Sequence, residues 1–282
     1  MLGPRAASRA RLFKVLRSPT GVVAVVITGG LCAVALLADR VAPIDPFASV
    51  GASLLPPSAA HLMGTDDLGR DLFSGVIHGA RTSLVLALAV SAVASLIGIL
   101  VGAGAGWRGG ALDDVLMRLT EFAQVIPRFF LAVVVISLWG PGLDRLIFLL
   151  GLTSWPLMAR VVRAEVLSVK SREFVEAARS LGAPAARILA REVLPNVLGP
   201  AVVVASLNAA GVILLEAGLS FLGLGDPDLV SWGYLANNAQ RFLRIAWWMA
   251  VFPGAAIALA VLGLNLLGDA LTDAFNPQSG AS

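Results

Sequence analysis

Long apolar stretches alternate with shorter polar ones along the chain. A membrane-spanning α-helix needs about 20 largely apolar residues, and six stretches meet that requirement. They are residues 19–38, 82–103, 115–139, 144–162, 197–222 and 246–268. The pattern therefore predicts an all-α integral membrane protein with six transmembrane helices in one membrane domain.

The composition supports this interpretation. Charged residues make up 14% of the chain and hydrophobic residues 57%, whereas soluble domains carry roughly 25% charged residues. Neither of the two lysines, Lys14 and Lys170, follows a glycine, as the lysine of an ATP-binding P-loop must. His61 and His78 lie too far apart for a zinc-binding helix. We expect no catalytic residue, no metal site and no cofactor bound by this chain itself.

The positive charges have a regular placement. Of the 21 Lys and Arg residues, five precede the first apolar stretch and seven lie between Arg160 and Arg191. Both groups fall on one side of the membrane when the six stretches are threaded in order, and the positive-inside rule makes that side cytoplasmic. The placement of the basic residues therefore indicates membrane topology rather than nucleic-acid binding. Segment 39–81, with five Asp and three Arg, is predicted to be extracytoplasmic.

These features predict the organisation of the chain. The apolar run 21–37 is longer than the roughly 7 to 15 residues of a signal peptide, so we expect an uncleaved first span. Both termini are expected in the cytoplasm. The predicted parts are a basic N-terminal arm (1–18), a first transmembrane helix (19–38), an extracytoplasmic segment (39–81), a five-helix core (82–272) with a cytoplasmic loop (163–196), and a cytoplasmic tail (273–282).

Small residues in the second span predict a close helix contact. Gly98, Gly102 and Gly106 recur every four residues, so they lie on one helical face. A face without side chains lets a neighbouring helix approach closely. Cys32, the single cysteine, is expected to pack within the first span.

Polar side chains inside the apolar stretches are candidate pathway residues, because each is costly in hydrocarbon. Glu216 lies deep in the fifth stretch, with Asn208 two turns earlier on the same face. They either line an aqueous pathway or tie two helices together. Arg128, next to Pro127, either meets an anionic group of a substrate or pairs with a protein carboxylate.

The segment between the fourth and fifth stretches is charged and rich in alanine. A helix from Ser171 to Leu181 is predicted to end at Gly182, and a second helix to run from Pro184 to about Val193. Leu194 and Pro195 are then expected to turn the chain into the fifth span. The apolar side chains of this elbow fit either a groove on a partner protein or the lipid surface. They are Phe174, Ala177, Ala178, Leu181 and Ile188.

The elbow resembles the cytoplasmic signature of permease subunits of ATP-binding-cassette importers. The matching residues are Glu176, Ala177, Ala178, Gly182, Leu194 and Pro195, with Glu192 at a position where the signature has isoleucine. The resemblance implies that the elbow is a coupling helix docked on a separate ATPase subunit. It also implies a second permease subunit, two ATPase subunits that hold ATP and Mg²⁺, an external binding protein and the bacterial inner membrane.

Three longer stretches are similar to the second permease subunit of dipeptide, oligopeptide and nickel importers. They are residues 64–84, 216–225 and 265–277. Leu62, the short loop 226–231 and Arg128 depart from that branch. The resemblance implies peptides as substrates, with nickel or another small solute as alternatives. A self-sufficient ion-coupled carrier or channel, or a membrane anchor without a pathway, is the competing class of function.

Overall fold

The computed structural model describes residues 15, 16 and 18–275. Most of the predicted basic arm and most of the predicted tail lie outside the described residues. So do Asn276 and Pro277, the last two residues of the third family-like stretch.

The described part of the chain is helical, as predicted. Its only extended pairings are isolated bridges between Ser49 and Arg70 and between Thr65 and Asp71. The helices are α1 (Pro19–Leu36), α2 (Ala38–Val41), α3 (Leu72–Arg108), α4 (Gly110–Val125), α5 (Arg128–Trp139), α6 (Leu143–Lys170), α7 (Glu173–Ser180), α8 (Ala185–Ile188), α9 (Leu194–Leu219), α10 (Trp232–Ala239) and α11 (Trp248–Phe275). Short π-helical turns, Leu189–Val193 and Ser220–Leu224, flank α9.

Five helical stretches are individually long and apolar enough to cross a membrane: α1, α3, α6, α11 and the continuous stretch Ala185–Leu224. The pair α4 and α5 passes the same test together but is bent by 70°. The break follows from Pro127, because a proline forces the residue before it out of the helical region; Ile126 is extended, with φ −82° and ψ 116°. Counting the bent pair as one span gives the predicted six.

Two helix boundaries differ from the sequence-based prediction. Helix α3 begins at Leu72, ten residues before the predicted second span, and its 37 residues form one helix about 56 Å long. Asp71 starts it by accepting a hydrogen bond from the Ser74 N–H at 2.9 Å. The turn predicted at Leu194 and Pro195 is wrong: Pro195 lies near the start of α9, which continues from the π-helical turn Leu189–Val193 without a break.

The two ends of the bundle are distinct. We call the end that carries residues 171–193 the elbow end. Helices α3 and α6 finish there, and Phe275 of α11 packs beside Gly199 near the start of α9. The opposite end carries residues 39–71 and α10. A cluster of buried side chains around Trp232 fills the half of the bundle toward the opposite end, and a second cluster around Val166 fills the elbow half.

The glycine face of α3 packs against α6, as predicted. A Cβ atom on Gly98 would lie 2.5 Å from the Met158 Cβ, and one on Gly102 would lie 2.4 Å from the Ala159 carbonyl oxygen. The same contact continues to Gly106, where a Cβ would lie 2.9 Å from the Arg163 oxygen. The two backbones therefore approach each other too closely for any side chain at these three positions.

We predict that Gly102→Ala destabilises the protein, because the new methyl group meets the backbone of α6 and the two helices must separate. Overpacking of this kind costs roughly 1–3 kcal/mol. The measurement is the thermal unfolding of the purified protein in detergent. Gly104→Ala is the matched control, because its Cβ would meet only the Leu116 Cδ1 at 3.9 Å. Equal unfolding temperatures for the two variants would contradict the prediction.

Candidate functional site

The elbow consists of helix α7 and the beginning of the continuous helical stretch Ala185–Leu224, joined around Gly182. The second helix predicted to end at about Val193 therefore runs on into α9. Helix α7 ends before Gly182, whose φ of +76° lies in the left-handed region. The Gly182 N–H donates to the Arg179 oxygen at 2.9 Å, and the Ala183 N–H donates to the Ala178 oxygen at 3.1 Å. These bonds satisfy the last carbonyl groups of α7. The predicted stop at Gly182 is therefore confirmed.

The inner side of the elbow is packed on the bundle. Val175, Ile188 and Val193 are buried and form one apolar cluster with the ends of α6 and α9, including Val166 and Val197. Ile188 is only 2% exposed, so its assignment to the outward apolar surface is wrong. Sequence alone could not separate the two sides of this short amphipathic segment, because both carry apolar residues.

The outer side of the elbow exposes a small mixed surface. Leu181 is 87% exposed and Phe174 is 39% exposed, beside exposed Glu176 and Ala177. We call these four residues the elbow surface. Ala178 is half-buried. Leu194 and Pro195 belong instead to the first turn of α9.

Aromatic and charged contacts that the sequence analysis missed fasten the elbow to α3. The Arg179 guanidinium of α7 lies 5.4 Å from the centre of the Trp107 ring, and the Lys170 ammonium lies 5.6 Å from it. Lys170 also donates to the Trp107 carbonyl oxygen at 2.5 Å. Cation–π contacts of this kind stabilise the arrangement. Trp107 thus joins the end of α3 to the end of α6 and to α7.

An ion pair joins α4 to α6 near the same end. The Arg163 Nε and a terminal guanidinium nitrogen donate to the two carboxylate oxygens of Asp113 at 2.5 and 2.7 Å. A bidentate pair fixes orientation as well as distance. The two residues are separated by 50 positions. Helix periodicity therefore gave no signal that they would meet.

Asn208 lines one small cavity, and Arg128 contacts Ser154 of its wall. The Arg128 guanidinium donates to the Ser154 hydroxyl at 3.2 Å, and the Asn208 amide donates to the Ser91 hydroxyl at 3.2 Å. Ser154, Asn208 and Ser95 line a cavity of about 10 Å³ between α3, α6 and α9. Ser154 is eleven residues from the start of α6, about 17 Å along its axis. The structure therefore brings Arg128 and Asn208 to a similar depth inside the bundle.

Glu216 lies apart from this cavity, eight residues farther along α9 toward the opposite end. Its side chain is buried, and its Oε1 accepts hydrogen bonds from the Ser220 and Ser231 hydroxyls, both at 2.7 Å. Ser231 also accepts a bond from the Tyr234 N–H at 3.0 Å, which begins α10. One carboxylate oxygen of Glu216 thus connects α9 to the first turn of α10.

Helix α10 is held close to the bundle around this carboxylate. A Cβ on Gly233 would lie 3.1 Å from the Glu216 Oε1 and 2.7 Å from the Ser220 Cβ, so only glycine fits there. The Trp232 indole N–H donates to the Val76 carbonyl oxygen of α3 at 2.9 Å. Both contacts position the short helix that covers the opposite end of α9.

One family model matches more than half of the chain. The family model described as "binding-protein-dependent transport system inner membrane component" matches residues 94–279. This region includes the elbow, Arg128, Asn208 and Glu216.

Several curated proteins are similar over most of the chain. The dipeptide transport system permease protein DppC of Bacillus subtilis is 40% identical over 226 residues, which cover 79% of this chain and 71% of that protein. The di/tripeptide transport system permease protein DppC of Pseudomonas aeruginosa is 40% identical over 252 residues, covering 86% and 83%. The oligopeptide transport system permease protein OppC of B. subtilis is 38% identical over 224 residues, covering 79% and 73%.

We predict that Glu216→Ala destabilises the docking of α10, because it leaves the Ser220 and Ser231 hydroxyls without their shared acceptor. The expected loss is roughly 1–3 kcal/mol. Hydrogen–deuterium exchange of residues 226–239, compared with exchange in α3, measures the effect. Asp228→Ala is the control, since it removes an exposed carboxylate from the same loop. Unchanged exchange in the Glu216 variant would contradict the prediction.

Proposed function

Because the chain belongs to the family of binding-protein-dependent transport system inner membrane components, we propose that it transports di- or oligopeptides. The chain is a multi-pass inner-membrane permease subunit of an ATP-binding-cassette importer, and the resemblance found in the sequence is confirmed. It is a membrane component rather than an enzyme. The peptide substrate is supported by the names of the similar proteins, which are dipeptide, di/tripeptide and oligopeptide permeases.

The elbow is the part through which an ATPase subunit would act on this chain. Its outer surface offers Phe174 and Leu181 to an apolar groove, with Glu176 beside them. Its inner surface is fixed by Val175 and Ile188 to the ends of α6 and α9. A displacement of α7 would therefore move the spans as a packed unit rather than bend the elbow alone. This packing is the observation that carries the coupling proposal.

The remaining parts of the importer follow from this role. Two separate ATPase subunits would hold ATP and Mg²⁺ and hydrolyse the nucleotide. A second, homologous permease would complete the pathway, and an extracytoplasmic binding protein would deliver the peptide. Selection of the peptide would then be shared between the binding protein and the pathway.

The elbow end would face the cytoplasm, with both termini on that side. The Lys and Arg residues at this end are Arg108, Arg163, Lys170, Arg172, Arg179, Arg187 and Arg191, and five more precede α1, which begins at this end. The opposite end carries fewer, namely Arg40, Arg70, Arg81, Arg145, Arg241 and Arg244. The excess of Lys and Arg at the elbow end supports this orientation by the positive-inside rule.

The composition of the importer is tested by purifying the tagged chain from its native membrane in mild detergent. We expect a second permease and ATP-hydrolysing subunits to copurify, identified by mass spectrometry and an ATPase assay. Recovery of the chain alone, with peptide uptake into vesicles that contain no ATP, would contradict the proposal.

We predict that Glu176→Lys reduces peptide uptake to background, because it reverses a charge in the middle of the elbow surface. The amount of protein in the membrane should stay unchanged, since the Glu176 side chain is exposed. Uptake of labelled dipeptide by cells, normalised to the chain detected in membranes, measures the effect.

The matched control is Asp114→Lys, which makes the same charge change at an exposed position of the elbow end outside the elbow. We expect this variant to retain uptake. Normal uptake in the Glu176 variant would remove the elbow from the coupling role.

A further inference from the structure

We call the bent pair α4 and α5 the broken span. Two arginines connect it to α6 at successive levels of the bundle. The Arg160 guanidinium donates to the Gln124 side-chain oxygen at 3.3 Å, just before the break. The Arg128 guanidinium donates to the Ser154 hydroxyl at 3.2 Å, just after it. Ser154 and Arg160 are six residues apart, about 9 Å along α6. Two hydrogen bonds, about 9 Å apart along α6, therefore join the same pair of spans.

Both hydrogen bonds lie within the membrane-spanning part of α6. Lys170 ends α6 at the elbow end, and Arg160 is ten residues before it, about 15 Å along the axis. Ser154 is sixteen residues before Lys170, about 24 Å along the axis. The hydrocarbon core of a bilayer is about 30 Å thick. Because Ser154 lies about 24 Å from one end of α6 and about 17 Å from the other, Arg128 is placed inside the hydrocarbon core.

Neither arginine has a carboxylate partner among the described residues, where the ion pairs of arginine join Arg81 to Asp39 and Arg163 to Asp113. Arg160 and Gln124 are exposed, and Arg128 is half-buried. A guanidinium has five N–H donors, and within residues 18–275 Arg128 uses one of them. Its remaining donors are available to a ligand.

An unpaired guanidinium on a surface that faces lipid is unfavourable, so membrane arginines face a partner or a water-filled path. Guanidinium groups bind carboxylates in particular, because their donors match the two oxygens. A free peptide carries such a carboxylate at its C-terminus. The half-buried position of Arg128 strengthens this attraction relative to bulk water.

We propose that Arg128 binds the free carboxylate of the peptide during its passage through the pathway, with Arg160 as the next contact toward the elbow end. Ser154 orients the Arg128 guanidinium through its hydroxyl group. The anionic ligand is inferred from the arginines themselves, whereas its identification as a peptide carboxylate rests on the proposed function. Arg128 is thus assigned as a residue that determines substrate specificity.

The charge preference of the site can be measured without an uptake assay. Ile126, at the break, is 43% exposed and lies two residues from Arg128. In the intact importer, with Cys32→Ala to remove the single native cysteine, Ile126→Cys supplies a thiol beside Arg128. Two water-soluble methanethiosulfonates, one with a sulfonate group and one with a trimethylammonium group, are compared in membranes with and without ATP and Mg²⁺. Their rates are normalised to those with a free thiol in solution.

We expect the sulfonate reagent to react about tenfold faster than the cationic reagent, because the arginines raise the local concentration of anions. Arg128→Gln should remove most of this preference. Arg118→Gln, the same change at an exposed position of α4 nearer the elbow end, should preserve it. Absence of reaction with both reagents in every state, or equal rates with Arg128 in place, would overturn the proposal.

A dipeptide with a free carboxylate and its C-terminal amide distinguish the nature of the ligand. We expect millimolar free dipeptide to slow the sulfonate reaction at least threefold and the amide to have little effect. Protection by both peptides, or by neither, would overturn the assignment of the peptide carboxylate. Anion preference in an importer that takes up no peptide would reject the proposed substrate and retain the anion site.

Discussion

The glycine-lined contact between α3 and α6 is the constraint on which the rest of the structure depends. A side chain at Gly102 would collide with the backbone of α6, so the two helices lie at a separation that only glycine permits. At the elbow end this contact brings Trp107 next to Arg179. At mid-depth it brings Ser95 and Ser154 to the wall of one cavity. Both candidate sites are thus positioned by one helix pair.

The elbow and the broken span make different kinds of contact with that helix pair. Val175 and Ile188 pack the elbow on the ends of α6 and α9, so a force on the elbow is transmitted to these helices. The broken span meets α6 through polar contacts of Asp113, Gln124 and Arg128, and its backbone is interrupted at Pro127. Its second half is also packed, because Ala132 and Ile136 belong to the same apolar cluster as Leu146 and Leu150 of α6. The elbow is thus seated on α6 and α9 by apolar packing, whereas the broken span combines apolar packing with side-chain hydrogen bonds and an ion pair.

Local rules explain which predictions succeeded and which failed. Gly182 stops α7 because a glycine adopts a left-handed conformation readily, and that preference is visible in the sequence. Pro195 was misread as a turn because proline commonly ends a helix, whereas here the helix runs through it after the π-helical turn Leu189–Val193. Ile188 was placed on the outer side because an amphipathic segment does not reveal which of its neighbours covers it. In each failure the local pattern allowed two structures, and packing against distant residues chose between them.

The sequence by itself determined the membrane class, the six apolar spans, the elbow and the glycine face, because length, hydropathy and the special backbone of glycine and proline act over a few residues. Tertiary structure alone decided the pairing of Asp113 with Arg163, the role of Trp107 beside the elbow, the attachment of Glu216 to Ser231 and the meeting of Arg128 with Ser154. Each of these contacts joins separate helices or a helix to a loop. Helix periodicity states which face of a helix is polar, but the partner of that face is set by how the helices pack together.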